Sequence, residues 1–135
     1  MGTLYICATP IGNLSDISSR LIETLNHVEY IYGEDTRRVL KLLNHLKIEK
    51  HVHSYFVGNE HEKMDEIENL LNTGKNVAVL SDAGTPLIAD TGAKLVSSLS
   101  NRNVKIESIP GPSSVIVALK LSGFDLTSFR FIGFI

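Results

Sequence analysis

Short apolar runs alternate with helix-period patterns along almost the whole chain. Leu4-Tyr5-Ile6-Cys7-Ala8 reads as a strand that gives way to a turn at Thr9-Pro10-Ile11-Gly12-Asn13. Ile17, Leu21, Leu25 and Val28 then recur at helical spacing, and Val28 to Tyr32 predicts a second strand ending at Gly33-Glu34-Asp35-Thr36. Val39, Leu42, Leu43 and Leu46 fall at i, i+3, i+4 and i+7, the apolar stripe of a helix. His51 to Tyr55 predicts a weaker third strand. Met64, Ile67, Leu70 and Leu71 mark a third helix, stopped by Gly74, a residue suited to the left-handed turn that closes helices.

The second half repeats the scheme more plainly. Val77-Ala78-Val79-Leu80 is apolar throughout, as in a strand of a parallel sheet covered on both faces. The loop Ser81-Asp82-Ala83-Gly84-Thr85-Pro86 follows, then a helix marked by Leu95, Val96 and Leu99. Val104 to Ile109 predicts a fifth strand, broken by Pro110-Gly111-Pro112, and Ser113 to Leu121 a helix apolar nearly all round, capped at Gly123. Strand alternating with helix predicts an α/β fold: an open, mainly parallel five-stranded sheet flanked by helices, with right-handed crossovers. Phe129 to Ile135 alternates like a further strand and then stops without a polar tail, so the sequence reads as one domain of a longer chain.

Composition narrows the classes. A length of 135 residues fits one domain with a sizeable core. No apolar run approaches the roughly 18 residues that a membrane helix needs. The opening residues lack the basic n-region of a signal peptide, and Ile6 stands where an N-myristoyl signal has Ser or Thr. A cytoplasmic chain with no membrane partner is the expectation. The lone Cys7 cannot form an internal disulfide and suits a packed small hydrophobe. Lys and Arg number 13 against 15 Asp and Glu, a net charge of -2, so no global field holds nucleic acid. Any such contact must be local. Arg37, Arg38, Lys41, Lys47 and Lys50 oppose only Glu49 in one segment; residues 60–68 carry five acids against Lys63, and solvated helix faces account for both runs equally well.

In an open parallel sheet, ligands bind beyond the carboxyl ends of the strands, where strand order reverses. The loops leaving the first, fourth and fifth strands (TPIGN, SDAGTP and PGPSS) are all rich in Gly and Pro, which describes a cofactor site built largely from main chain. The first loop offers only Gly12 toward a dinucleotide G-x-G-x-x-G pattern, and no P-loop is present. Asp82 is placed to accept hydrogen bonds from an amine or hydroxyl beside small residues that admit a flat ring. Glu34, Asp35 and Arg37 end the second strand on the same edge, so Arg37 can meet a phosphate, with Arg38 and Lys41 extending the patch. Asp35 is equally suited to cap the next helix and pair with Arg38, and Ser113 and Ser114 to N-cap the last one. His51 and His53 share one side of a strand but lack a third ligand, so no metal site is expected.

The segments ATPIGNLSDIS, GEDTRRVLKLL, LSDAGTPLIADTG and IPGPSSVIVALKLSGF resemble, in order and spacing, the tetrapyrrole-methylase superfamily. EDTR with SDAGTPLIADTG is more similar to its ribosomal RNA branch, which methylates a cytidine 2′-hydroxyl in 16S rRNA, than to the precorrin methylases, whose second loop carries Gly-Asp-Pro. The resemblance implies S-adenosyl-L-methionine as cofactor, held between two α/β domains of which residues 1–135 match the N-terminal one. It implies cofactor contacts from Pro10, Ile11 and Gly12, from Ser81, Asp82, Ala83 and Gly84, and from Ser113 and Ser114; the edge position of Asp35, Arg37 and Arg38 makes them the candidate contacts to the RNA. It also implies a homodimer. The segment SYFVGNEHEK departs from the family's His-rich stretch before Asn-Glu. A methylase of a small tetrapyrrole and a non-catalytic dimerising scaffold are the alternatives, and no general base is identified.

Overall fold

The computed structural model describes residues 1–88 and 92–135. Its strands are β1 (Thr3–Cys7), β2 (Tyr30–Gly33), β3 (Val52–Ser54), β4 (Val77–Leu80) and β5 (Lys105–Ile109), in one sheet of order β3-β2-β4-β1-β5. Every pairing in it is parallel. The α-helices are α1 (Ser19–His27), α2 (Thr36–His45), α3 (Glu60–Asn72), α4 (Ala93–Ser100) and α5 (Ser114–Ser122).

Strand order and core composition fix the layers. From β1 the chain moves toward the β3 edge through α1 and α2; from β3 it returns toward β5 through α3 and α4. Right-handed crossovers in opposite directions put their helices on opposite faces. One core accordingly joins Leu21, Leu25, Val39 and Leu43 to Cys7, Ile31, Ala78 and Leu80. The other joins Ile67, Leu71, Leu95 and Leu99 to Leu4, Ile6, Val77 and Val79. The continuous apolar run of β4 serves both layers, since successive side chains point to opposite faces.

Caps place the helix ends. Ser18 Oγ accepts the Leu21 N–H at 3.0 Å, so α1 starts after Ile17, which packs on the core from outside the helix. The ammonium of Lys50 donates to the carbonyls of Leu25, Asn26 and Val28 at 2.8, 2.8 and 2.5 Å, satisfying the α1 C-terminus. At the amino edge of the sheet, Asn76 accepts the Thr3 N–H on Oδ1 and the Glu29 N–H on its carbonyl, while its own N–H donates to Glu29 Oε2 at 2.6 Å.

The expected strand at Phe129–Ile135 is not formed. Residues 129–135 have no regular structure, and Phe134 is 90% exposed. Alternation makes a strand only where a neighbouring edge completes the ladder, and this run pairs with none among the described residues. The helix α5 forms where expected but buries no residue, leaving Ile116 and Leu121 exposed. Among the described residues, no helix is long and apolar enough to cross a membrane.

Candidate functional site

The topology reverses between β4 and β1. The chain leaving β1 crosses one face toward β2, and the chain leaving β4 crosses the other toward β5, so their loops diverge at the carboxyl edge and open a crevice. The loops are nonetheless joined at their bases. Thr9 N–H donates to Gly84 O and Gly84 N–H to Thr9 O, both at 2.9 Å. Ser81 Oγ donates to Gly84 O at 2.6 Å, closing the second loop on itself. The third loop joins through Thr85 Oγ1, which donates to Pro112 O at 2.9 Å, and through Gly111, where a Cβ would lie 3.0 Å from that of Ala8. All three Gly- and Pro-rich loops therefore meet.

A cleft of about 640 Å³ opens beside them, within the several-hundred-Å³ range of small-ligand sites. Ser81, Asp82 and Ala83 line its floor, and Thr9, Pro10, Gly12, Asn13 and Leu14 the β1 side. Val39 and Leu42 of α2 form an apolar opposite wall, with Arg38 and Lys41 among them. Gly12 has φ +98°, a left-handed conformation that suits glycine and leaves no side chain in the mouth.

The floor and the α2 wall are linked. Asp82 Oδ1 accepts the backbone N–H of Asp35 at 2.9 Å. Asp35 in turn N-caps α2, its carboxylate accepting the Arg37 N–H at 3.0 Å and facing Arg37 Nε at 3.5 Å and Arg38 Nε at 3.9 Å. Partial burial pushes the Asp35 carboxyl up, but the Arg37 N–H and guanidinium outweigh it and hold it below its ordinary value. The capping role open from sequence is thus occupied. Arg37, whose side chain is 90% exposed, lies outside the cleft lining, whereas Arg38 and Lys41 belong to it.

The other predicted residues sit close by without lining the cleft. Ile11 packs against Gly84, where a Cβ would meet Ile11 Cγ2 at 3.0 Å. Ser113 occupies the α5 N-cap position without a side-chain capping bond, and Ser114 is exposed. Ala89, Asp90 and Thr91 of the SDAGTPLIADTG segment lie outside the described residues. His51 and His53 approach to 4.5 Å between ring centroids, and His53 stacks on Tyr32. Cys7 is fully buried, which pushes its thiol up to about 12. Two residues carry more than their sequence context signals. Thr9 is buried between loops, and Glu60, inside an acidic run, is 8% exposed and accepts from Tyr55 Oη at 3.2 Å and Gly92 N–H at 3.4 Å.

Comparison with known proteins adds sequence evidence to this geometry. The family model described as Tetrapyrrole (Corrin/Porphyrin) Methylases matches residues 3–135. A Thermotoga maritima protein named ribosomal RNA small subunit methyltransferase I is 44% identical over 135 residues, covering all of this chain and 61% of its own length. A protein of the same name from Mycoplasmopsis pulmonis is 45% identical over 135 residues, covering all of this chain and 60% of its own. The chain spans about three fifths of the length of these relatives. Among solved structures, uroporphyrin-III-C-methyltransferase from Thermus thermophilus superposes with a TM-score of 0.69 at 20% identity, over 95% of this chain and 55% of that one.

Proposed function

The chain belongs to the tetrapyrrole methylase family, and from that premise we propose that it forms the cofactor-binding part of an S-adenosylmethionine-dependent enzyme that methylates a cytidine 2′-hydroxyl in small-subunit rRNA. The observation that carries this reading is similarity over all 135 residues of this chain, at 44–45% identity, to proteins named ribosomal RNA small subunit methyltransferase I, in a chain whose loops after β1 and β4 line one cleft.

The cleft suits such a cofactor. Ala83 and Gly12 present little side chain, so backbone can approach a flat ring, and Asp82 brings a carboxylate to the floor where a cationic ligand gains from it. When bound, S-adenosylmethionine supplies a methyl group already activated by its sulfonium. The protein is left with alignment and exclusion of water, the terms that proximity and orientation provide. Pro10 and the loop bases joined at Thr9 and Gly84 hold the ligand-facing main chain rigid. Val39 and Leu42 keep one wall dry, while Arg38 and Lys41 offer charge to the RNA backbone.

Residues 1–135 on this reading supply one wall of the cofactor site, and α5 supports self-association. Its exposed Ile116, Val117 and Leu121 form an apolar face that a second copy can cover. Light scattering of the full-length protein tests this last point: a dimer mass is expected, and a monomer at high concentration contradicts it. The activity is tested by methyl transfer from labelled S-adenosylmethionine to small subunits lacking the modification. Label recovered as 2′-O-methylcytidine is the expected result; no transfer, or transfer to a base, contradicts the reading.

A further inference from the structure

We propose that Asp82 is a positioning residue for the RNA-facing wall: its carboxylate holds Asp35, and through Asp35 sets where Arg38 stands in the cleft. The inference rests on the cofactor and RNA reading above. It gives the methyl-donor loop a second duty, that of placing a phosphate contact.

Strand register creates the link. β2 and β4 are paired neighbours with Gly33 opposite Leu80, so the residues two places beyond each partner, Asp35 and Asp82, emerge side by side at the carboxyl edge. Asp82 Oδ1 takes the Asp35 N–H at 2.9 Å. The same stretch of backbone is pressed against α2 from the other side, since a Cβ on Gly33 would lie 2.5 Å from Val39 Cγ2. Residues 33–35 are thus gripped between α2 and the β4 loop. Asp35 passes the constraint on, because its carboxylate caps the first turn of α2 at the Arg37 N–H and faces Arg38 Nε at 3.9 Å. Arg38 and Asp82 line the same cleft. Removing the Asp82 carboxylate leaves the Asp35 N–H without its acceptor and frees the start of α2 on the cleft side. An amide at position 82 keeps an acceptor oxygen but not the charge, so the two duties separate in a pair of variants.

The test uses the full-length protein, an rRNA fragment containing the acceptor cytidine, and S-adenosylmethionine, titrated separately in calorimetry. Affinity for the RNA is measured against salt in wild type, D82A, D82N, R38A and the D82A/R38A double variant. D82A is expected to lower the slope of log K on log salt by about 0.7–0.9, one phosphate contact. R38A is expected to do the same, and the double variant to lose no more than either alone. D82N is expected to keep the wild-type slope while binding S-adenosylmethionine, whose sulfonium carries the charge, several-fold more weakly, a split that a purely structural role would not produce. A wild-type slope in D82A, additive losses in the double variant, or a flattened slope in folded D82N would each overturn the proposal. Should D82A not fold, D82E decides: it keeps the charge but displaces the carboxylate by one methylene, so a lowered slope is expected and a wild-type slope overturns the proposal. Failure of the functional reading looks different: wild type itself would bind neither probe. Amide exchange at Asp35, faster in D82A than in D82N, then reads the link independently, and equal protection in both contradicts it.

Discussion

Thr9 and Gly84 exchange both of their backbone hydrogen bonds, each at 2.9 Å, joining the loops that leave β1 and β4. Gly84 does so at φ +76°, and a Cβ there would lie 3.0 Å from Ile11 Cγ2. Gly84→Ala is therefore expected to cost about 1–2 kcal/mol of stability for the left-handed conformation alone. It should also weaken S-adenosylhomocysteine binding, because the loop bases shift. Gly74→Ala is the control: φ is +86° but nothing lies within 4 Å, so stability falls and ligand affinity holds. Chemical unfolding with calorimetric titration of both variants checks this, and equal affinities would detach Gly84 from the site.

Charge reversal separates the basic residues of α2. Arg38 and Lys41 line the cleft and Arg37 does not. Arg38→Glu with Lys41→Glu is expected to weaken RNA binding and flatten its salt dependence, by a slope of about 0.7–0.9 for each phosphate that is no longer neutralised. Arg37→Glu should change it far less. Equal effects from all three would return the patch to a diffuse surface field.

Much of this architecture is legible in the residue pattern, for physical reasons. The four apolar residues of β4 read as a doubly covered strand because they are one, and the Gly and Pro spacing marked three loops that the structure brings together at the carboxyl edge. Local patterns do not encode which strands become neighbours. The Asp82–Asp35 bond spans 47 residues and exists only because β2 pairs with β4. Arg37 and Arg38 are alike in sequence, and only the helical phase of α2 turns one toward the cleft. Glu60 shares a run with exposed acids, so nothing local distinguishes it as the buried one. Phe129–Ile135 misled in the opposite sense, since alternation without a partner edge does not make a strand.

Stability should fall in acid through Glu29. The Asn76 N–H, donating at 2.6 Å, is the main influence holding this carboxyl below its ordinary value of 4.5. The group's folded pKa lies below its unfolded one, so its contribution is complete above about pH 4.5 and is lost as pH drops through the folded value. Glu29→Gln keeps an acceptor oxygen but does not titrate. Urea unfolding between pH 3 and 6 is expected to show a shallower acid decline in the variant, and parallel curves would contradict the assignment.

Glu60 ties Tyr55, just after β3, to Gly92, just before α4. Glu60→Ala would leave a buried phenol and a buried N–H without this acceptor, at a cost of about 1–3 kcal/mol. Glu60→Gln, which retains the oxygen, should cost less. Thermal unfolding of the two variants distinguishes them, and a neutral Glu60→Ala would show that water satisfies both donors.

The central claim, that the crevice between the β1 and β4 loops is the cofactor site, is tested most directly by amide chemical shifts during titration with S-adenosylhomocysteine. The largest shifts are expected at Ile11, Gly12, Asp82, Ala83 and Gly84. None are expected at Gly2, Lys75 and Asn76, on the opposite edge of the same sheet, where Gly2 N–H bonds Leu71 O and Asn76 ties β1 to β2. Shifts concentrated away from the loop amides, or none at saturating ligand, would contradict it.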